Sequence, residues 1–432
     1  MLNLRMSKYI KKFGMHSLVV ILCIGLLAIS GCTKQTSGPS DTGKTTGSTS
    51  ASSSGDIPIG ILTSYTGEMG AFGKPVYNAA KLAVDQINAA GGVNGRKIML
   101  YTEDDQSTVE SGIRGARKLI TANGVIAMHG MISDVLLAIW DFAKQNKVFI
   151  ASPYAGTTKL DKIGGDYQLR TVPSDSLDGK VAAQSLWDKG YRKIAIMFET
   201  AESTTSIGNA VKEQFEKLGG SVTMILPFQS RQSSYLAELK KVADTNPEAV
   251  WLGTGQETAP TILKQCKQRD YKWQWMVSSD VAVPEIFKLV GKDIMNGILT
   301  EIPAGDNTSE DYKKFSSEYK ATFGKEPGGN FEANSYDAMM IMALAIQAGG
   351  KADGTTINQN YKKVASPPGV KVHSYKDAFA ELKKGNDIDY EGPSGDCNFD
   401  DHGTTSGSFN ALIAKDGQWE QFKFYPASTF EN

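Results

Sequence analysis

The chain has few cysteines, almost no excess charge and, beyond its N-terminus, no long apolar stretch. Its 432 residues contain 4 cysteines, too few for a fold held together by disulfides. Lysine and arginine together number 46 and aspartate and glutamate 47, whereas a dedicated nucleic-acid-binding protein normally has a strong basic excess. No segment after residue 31 has the ~18 consecutive apolar residues of a membrane-spanning helix, so the remainder is expected to be water-soluble. These absences leave a globular protein long enough to bury a large apolar core.

Residues 1–31 have the features of an export signal. They contain four basic residues and no acidic one, and an apolar run covers residues 18–29. This run is too short to cross a hydrocarbon core ~30 Å thick, which takes about 20 residues. A basic start, a short apolar stretch and small residues at its end are typical of a secretory signal peptide. We therefore expect the mature protein to be exported.

The signal ends in Ile29-Ser30-Gly31-Cys32, which resembles the lipobox of bacterial lipoproteins. The resemblance implies a lipoprotein signal peptide over residues 1–31 and a lipid on Cys32 that anchors the chain to the outer face of a bacterial cell membrane. The alternative is a buried thiol in an N-terminal helix, but nothing after Cys32 could pack on such a helix. Residues 32–55 are rich in Ser, Thr and Gly and lack core-forming residues, which predicts a flexible tether.

From residue 56 onward, short apolar runs alternate with longer segments of helical period. Such alternation is typical of βαβ units, and more than eight strands exceed one comfortable domain. The sequence therefore predicts an α/β protein of two lobes, each a mostly parallel sheet flanked by helices. Residues 336–348 predict a strongly apolar helix, and residues 410–414 and 418–425 an antiparallel pair. The other predicted strands cover residues 57–62, 97–103, 124–129, 147–152, 193–199, 221–228, 249–253 and 273–278.

Enzyme and cofactor motifs are largely missing. The sequence has no G-x-x-x-x-G-K-[ST] phosphate loop and no G-x-S-x-G elbow, and the glycines after the first strand do not form G-x-G-x-x-G. The four histidines form no paired metal-ligand spacing, and residues 400–402 (Asp-Asp-His) are interpreted as a turn rather than a metal site. Cys266 and Cys397 are expected to be separate free thiols rather than a disulfide. We expect no catalytic residue, metal or cofactor.

Several segments resemble the branched-chain amino acid (leucine/isoleucine/valine) binding proteins of ABC transporters, which have the type I periplasmic-binding fold. The most specific is DQINAAGGVNGR at residues 85–96, preceded by MGAFG at 69–73 and followed by YQLRTVPSD at 167–175. The resemblance covers residues 56–426 and implies two lobes joined by three hinge crossings, near residues 172–173, 302–303 and 401–405. Lobe 1 would comprise residues 56–172 plus 302–400, and lobe 2 residues 173–301 plus 401–432.

In this family, lobe 1 holds the α-carboxylate and ammonium of an amino acid through hydroxyl and backbone groups after two strands. Ser133 matches the family's serine, whose hydroxyl would meet the carboxylate, and an ordinary helix N-cap is an equally open alternative. Tyr154 matches a backbone-contact position and would line the cleft, with burial as the alternative. Gly156 falls where the family has a threonine, so that hydroxyl contact would come from Thr157 or Thr158.

Lobe 2 of the family supplies an acidic partner for the ammonium, and the resemblance assigns this role to Asp280, with helix capping as the alternative. A half-buried ammonium needs such a counter-charge, because an unpaired charge is costly to desolvate. Phe72 matches an aromatic cleft position of lobe 1. Residues 205–208 (TSIG) and 253–255 (GTG) stand where relatives often have aromatic contacts. We therefore expect a pocket wider or more polar than one for leucine.

These features predict an extracytoplasmic solute-binding lipoprotein of an ABC transporter. It would capture an amino acid, of branched-chain type or a related small polar or amide solute, by hinge closure and deliver it to a membrane permease. It would act as a monomer, without nucleic acid, and would not be an enzyme. The alternative is a sensor whose ligand-bound form signals to a membrane receptor. An α/β enzyme would need a nucleophile or cofactor motif that the sequence lacks.

Overall fold

The computed structural model describes residues 55–303, 305–328 and 330–430. The predicted signal peptide, Cys32 and all but the last residue of the predicted tether lie outside the described residues. Within the described ranges, no helix combines the length and the apolar character needed to cross a membrane.

The first sheet has five parallel strands in the order β2-β1-β3-β4-β5, which is typical of βαβ units. Strands β1, β3, β4 and β5 are almost entirely buried because helices cover both faces, whereas the edge strand β2 has one buried residue, Ile98. The strands are β1 (Ile57–Thr63), β2 (Ile98–Asp104), β3 (Ala127–His129), β4 (Phe149–Ser152) and β5 (Gln168–Arg170). The helices between them are α1 (Gly70–Ala89), α2 (Val109–Thr121), α3 (Ser133–Gln145) and the short α4 (Leu160–Ile163).

The second sheet has seven strands in the order β14-β13-β10-β9-β8-β6-β7. Strands β6 to β10 pair in parallel, and β13 joins β10 and β14 in antiparallel fashion, so the predicted C-terminal antiparallel pair is confirmed. The strands are β6 (Lys193–Glu199), β7 (Ser221–Phe228), β8 (Ala249–Gly253), β9 (Gln274–Val277), β10 (Leu299–Pro303), β13 (Phe409–Lys415) and β14 (Gln418–Tyr425). The accompanying helices are α5 (Asp175–Asp188), α6 (Glu202–Lys217), α7 (Leu236–Asp244), α8 (Ala259–Gln268), α9 (Ile286–Val290) and α10 (Lys292–Met295).

Between β10 and β13 the chain returns to the first sheet. Helix α12 (Glu332–Gly349) is buried from its first residue to Ile346 and packs on α1 in the core beside the first sheet. It is apolar on nearly all faces, as a central helix must be, and it ends where Gly350 adopts a left-handed conformation, φ 77°. The rest of this segment comprises α11 (Glu310–Phe323), α13 (Gly354–Val364), β11 (Val370–Val372), α14 (Tyr375–Lys383) and β12 (Ile388–Tyr390).

We call the first sheet with its helices and this returning segment lobe 1, and the second sheet with its helices lobe 2. The chain passes between them three times, after β5, after β10 and between β12 and β13. The predicted two-lobe α/β fold is confirmed, and the exact residue boundaries given above stay a prediction. Cys266 and Cys397 are both buried, free thiols. Asp400 accepts hydrogen bonds from the backbone N–H groups of His402 and Thr404, which confirms the predicted turn.

Candidate ligand-binding site

A cavity of about 260 Å³ lies between the two lobes. Lobe 1 lines it with residues that follow β1, β2, β3 and β4, and lobe 2 with residues that follow or end β6, β7 and β9. The carboxyl ends of parallel strands meet at one edge of a sheet, and helix N-termini with unpaired N–H groups gather there. Ligands of open α/β sheets bind at this edge. In this protein, the cavity lies at this edge of both sheets.

Ser133 lies on the lobe 1 wall as the first residue of α3. The N-cap is Ile132 and no side chain caps this helix, so the capping alternative for Ser133 is wrong. Its side chain is 2% exposed, and its hydroxyl accepts one long hydrogen bond, 3.4 Å, from the N–H of Thr157. The hydroxyl hydrogen and the first N–H groups of α3 are therefore available to an acceptor in the cavity.

Tyr154 lines the same wall and is also buried, so both predicted environments apply to it. Its hydroxyl donates to the carbonyl of Gly130 and hydrogen-bonds to Thr63, which leaves its ring as the part that can face a ligand. Phe72 does not reach this cavity. It packs edge-on against Phe331 at 5.3 Å between ring centroids, and Phe331 in turn contacts Tyr154.

Gly156 and Thr157 support the wall from behind rather than lining it. Gly156 accepts a 2.7 Å hydrogen bond from the N–H of Asp175, and a Cβ there would come within 1.9 Å of the Asp175 carboxylate. The close approach of this loop to α5 therefore requires glycine. Thr157 is fully buried, and its hydroxyl donates to Glu202 of lobe 2 at 2.9 Å. Buried Arg170 holds the same loop by donating to the carbonyl of Thr157 at 2.9 Å.

Asp280 lies on the lobe 2 wall, in a single 3-10 turn that follows β9. No side chain caps this turn, so the capping alternative is wrong here as well. Its carboxyl accepts no hydrogen bond from the residues that the structure describes. Burial raises the pKa of Asp280 to about 8, and the nearby charges of Glu199, Asp178 and Glu68 add to the rise. A cationic ligand group next to this carboxyl would stabilise its ionised form.

Glu199, at the end of β6, is a second carboxyl of the lobe 2 wall and was missed in the sequence. It is 9% exposed, and Oε2 accepts hydrogen bonds from Thr254 Oγ1 at 2.8 Å and the N–H of Gly255 at 3.4 Å. Burial, followed by the charge of Glu68, raises the pKa of Glu199 to about 7. The available signal was a lone acid ending an otherwise apolar buried strand, at the edge where ligands bind.

The lobes touch each other next to the cavity through two sets of polar contacts. Glu68, from the loop after β1, accepts hydrogen bonds from the N–H of Glu257 at 3.0 Å and the N–H and hydroxyl of Thr258 at 3.2 and 2.8 Å. These two residues directly precede α8 of lobe 2, so the carboxylate also meets the positive end of that helix. In the second set, Glu202 of lobe 2 pairs with Lys159 of lobe 1 at 2.7 Å, beside its bond to Thr157.

The family model described as "Periplasmic binding protein" matches residues 56–416, which is most of the chain.

The chain belongs to the periplasmic binding protein family.

Among curated relatives of this periplasmic binding protein, one from Pseudomonas aeruginosa, named a leucine-, isoleucine-, valine-, threonine- and alanine-binding protein, is 24% identical over 298 residues. The alignment covers 69% of this chain and 79% of that one. The "Leu/Ile/Val-binding protein homolog 1" of Brucella suis is 24% identical over 310 residues, 71% of this chain and 82% of that one.

Solved structures share the fold. The leucine-binding protein LivK of Thermotoga maritima aligns with a TM-score of 0.74 at 22% identity, over 86% of this chain and 99% of that one. A solute-binding protein of R. palustris, solved with benzoate, aligns with a TM-score of 0.69 at 16% identity, over 86% and 97%. The resemblance to the branched-chain amino acid binding proteins that the sequence predicted is thus confirmed, and the family is one of solute-binding proteins.

Proposed function

We propose that the protein is an exported, lipid-anchored solute receptor that captures an amino acid between its lobes and hands it to an ABC permease. The observation that carries this proposal is the opposite character of the two cavity walls. On lobe 1, a free hydroxyl and helix N–H donors lie beside Asp134 and Glu68, whose carboxylates already accept hydrogen bonds from N–H groups of lobe 2. On lobe 2, the Asp280 carboxyl has no hydrogen-bond partner among the described residues.

The lobe 1 wall suits a carboxylate. Ser133 and the first N–H groups of α3 provide donors, and the positive end of the helix dipole attracts an anion. Because α3 has 13 residues, its dipole is that of a full helix rather than of a single turn. The Tyr154 ring, whose hydroxyl is already bonded, would contact the Cα side of the ligand.

The lobe 2 wall suits an ammonium group. Asp280 accepts no hydrogen bond from the described residues, and its raised pKa measures the cost of keeping it ionised without a partner. An ammonium within hydrogen-bond distance would offset that cost, so that binding and lobe closure support each other. A zwitterion that touches both walls is held only when the lobes are together, which would allow a permease to distinguish the loaded form.

Several further observations agree with this assignment. The P. aeruginosa relative is named for binding five amino acids, and a Streptococcus pneumoniae protein of the same fold, TM-score 0.73, was solved with isoleucine. In this role the protein would bind its ligand reversibly and release it chemically unchanged. The anchor on Cys32 and the tether of residues 32–55 would hold the lobes outside the cell membrane.

Calorimetric titration of the purified chain with a panel of amino acids, together with small-angle scattering, tests the proposal. We expect binding of at least one amino acid and a smaller radius of gyration when it is bound. Absence of binding by every amino acid and amide would contradict it. Uptake of the bound amino acid by cells, lost on deletion of this chain, separates delivery to a permease from the sensor alternative, which predicts unchanged uptake.

A further inference from the structure

The cavity holds more carboxyl groups than one ammonium can pair. Glu199 and Asp280 both line it from lobe 2, at the ends of β6 and β9. Only Oε2 of Glu199 is hydrogen-bonded to the described residues, which leaves Oε1 without a partner, and the Asp280 carboxyl has none. Glu199 is nine-tenths buried and lines the cavity, so a cationic ligand group at its unbonded oxygen would offset the cost of keeping the carboxylate ionised there.

No basic side chain among the described residues neutralises this pair. Arg231 is the only basic residue of the lining, and its guanidinium is already held by Glu257 at 3.0 Å and Glu68 at 3.4 Å. Its effect on Glu199 is smaller than the opposing effects of burial and of Glu68. Lys159, from the neighbouring loop, is paired with Glu202.

The groups behind the lobe 2 wall add further negative charge. Asp178 of α5 and Glu301 of β10 are buried against each other, and burial raises the pKa of both carboxyls. Asp175, at the start of α5, is raised by burial and by Asp178. Glu199, Asp178 and Glu68 raise the pKa of Asp280, and Asp280 in turn raises the pKa of Asp175. On the lobe 1 wall, Asp134 is a further carboxyl of the lining; burial raises its pKa, and it accepts a hydrogen bond from the N–H of Glu202 at 3.1 Å.

We propose that the cavity selects a ligand with two cationic groups, an amino acid with a basic side chain, whose α-ammonium and side-chain amine pair with Asp280 and Glu199. The proposal rests on the proposed function, since it names the class of amino acid that the same cavity takes. A neutral amino acid brings one ammonium and leaves one carboxyl either protonated or unpaired in a dry site. A second ammonium group on the ligand would form a charge-assisted hydrogen bond with the remaining carboxyl.

Space and surroundings agree with this ligand class. A volume of about 260 Å³ is close to the lower end of typical small-molecule pockets, ~300 Å³, and takes one extended amino acid. The lobe 2 lining next to Glu199 comprises Thr200, Ala201, Ser203 and Thr204, which are small and mostly polar, whereas a branched-chain side chain needs an apolar wall. An amine at the end of an unbranched side chain can reach past them to the Glu199 carboxyl. The apolar residues of the lining, Met69, Val109 and Ile132, lie on lobe 1, where they can contact the methylene groups of an unbranched side chain.

A dicationic ligand and a carboxylate ligand without an amine should show opposite changes of affinity with pH. A dicationic ligand requires both carboxyls ionised, so its affinity is low near pH 6, rises as pH passes the values of about 7 and 8, and levels off above them. Binding near pH 7 then releases protons to the buffer. A carboxylate ligand without an amine would instead accept a hydrogen bond from the protonated carboxyl and bind more weakly as the pH rises.

Calorimetry of the full chain with L-lysine, L-ornithine, L-leucine and benzoate, at pH 6.0 and 8.5, tests the proposal. We expect L-lysine or L-ornithine to bind at least tenfold more tightly than L-leucine at pH 8.5, and at least tenfold more tightly at pH 8.5 than at pH 6.0. Glu199→Gln should remove most of the preference for the basic amino acid while retaining affinity for L-leucine. Glu213→Gln, an exposed acid on α6 outside the cavity lining, is the matched control.

Tighter binding of L-leucine than of either basic amino acid at both pH values overturns the inference and leaves the proposed function standing. Binding of benzoate alone, strongest at pH 6.0, overturns both. Thermal melts check that Glu199→Gln folds. If it does not, Asp280→Asn provides the second variant, for which a basic amino acid must lose at least tenfold in affinity, and an unchanged affinity there also overturns the inference.

Discussion

The two walls of the cavity differ in how far their polar groups are satisfied within the protein. On lobe 1, the Tyr154 hydroxyl bonds to Gly130 and Thr63, the Asp134 and Glu68 carboxylates accept N–H groups of lobe 2, and the Ser133 hydroxyl hydrogen remains available. On lobe 2, the Asp280 carboxyl has no hydrogen-bond partner among the described residues, and one oxygen of Glu199 is hydrogen-bonded. Most polar groups of the lobe 1 wall thus have hydrogen-bond partners within the protein, whereas the lobe 2 wall has carboxyl oxygens for which a ligand would be the partner. Substitutions on lobe 2 should therefore change affinity more than those on lobe 1.

The largest effect is expected from Asp280→Ala. Removal of this carboxyl should abolish detectable binding of any ligand with a free α-amino group, because a charge-assisted bond in a dry cavity is lost and the ammonium is left unpaired. Calorimetry measures the loss, with Glu213→Gln as the exposed control. The melting temperature should stay the same or rise, since the side chain makes no hydrogen bond in the described structure. Unchanged affinity would remove the assignment of Asp280 to the ammonium.

Ser133→Ala should weaken binding by about 1–3 kcal/mol, the usual cost of removing a hydrogen bond to a charged group. Since the hydroxyl does not cap α3, thermal stability should be nearly unaffected. Titration calorimetry and a thermal melt of the same sample separate the two effects. A fall in melting temperature with full affinity would instead assign Ser133 a structural role. The lobe 1 wall would then lack the hydroxyl donor proposed for the ligand.

Glu68→Gln tests the contact between the lobes at a residue that also lines the cavity. The amide keeps the shape of the carboxylate but weakens its bonds to the N–H groups before α8 and to Arg231. We expect a larger radius of gyration in the ligand-free protein and a modest loss of affinity, about three- to tenfold, for an interaction worth ~1 kcal/mol. Identical scattering profiles for the variant and the parent would contradict a role of Glu68 in closure.

The smallest expected effect concerns stability and pH. Burial raises the pKa of Asp178 to about 7, so the folded chain holds a proton there that the unfolded chain releases near pH 4. The folded state therefore binds more protons, and this group's contribution to stability falls as pH rises from about 4 to 7. Asp178→Asn should leave the melting temperature near that of the parent at pH 4 and raise it at pH 8, where the parent must ionise the buried carboxyl. A pH-independent difference between the two chains would contradict this account.

Much of the fold could be predicted from the sequence because it depends on local pattern. The alternation of short apolar runs with helical segments predicted both sheets, and the apolar stretch before Gly350 predicted the central helix α12. Asp280 and Ser133 could be predicted from their positions after strands, since such positions converge in any parallel sheet. Their alternative as helix caps was wrong, because the N-cap of α3 is Ile132 and the N-cap of the turn that contains Asp280 is Ser278.

Other parts of the site could not be predicted from local pattern. Phe72 was expected in the cleft; its ring packs on Phe331, which lies 259 positions further along the chain, and it lines a second cavity of about 200 Å³ between the lobes rather than the one that contains Asp280. Thr157 was expected to bind the ligand, but its hydroxyl is used by Glu202 of the other lobe. Glu199 carries no motif, and its importance comes from the fact that Arg231, the basic residue of the same lining, forms its salt bridges with Glu68 and Glu257 instead. That pairing is visible only when every neighbouring element is in place.

Composition and period in the amino-acid chain were enough to specify parallel sheets, their covering helices and the edge at which a ligand belongs, since these follow from hydrogen-bond geometry repeated over a few residues. The charge balance of the cavity was decided by tertiary packing. Arg231 stands 32 positions from Glu199 and 163 from Glu68, yet in the described part of the chain it forms a salt bridge with Glu68 and none with Glu199. Electrostatic pairing depends on distance in space and on the loss of water, and neither is encoded in separation along the chain.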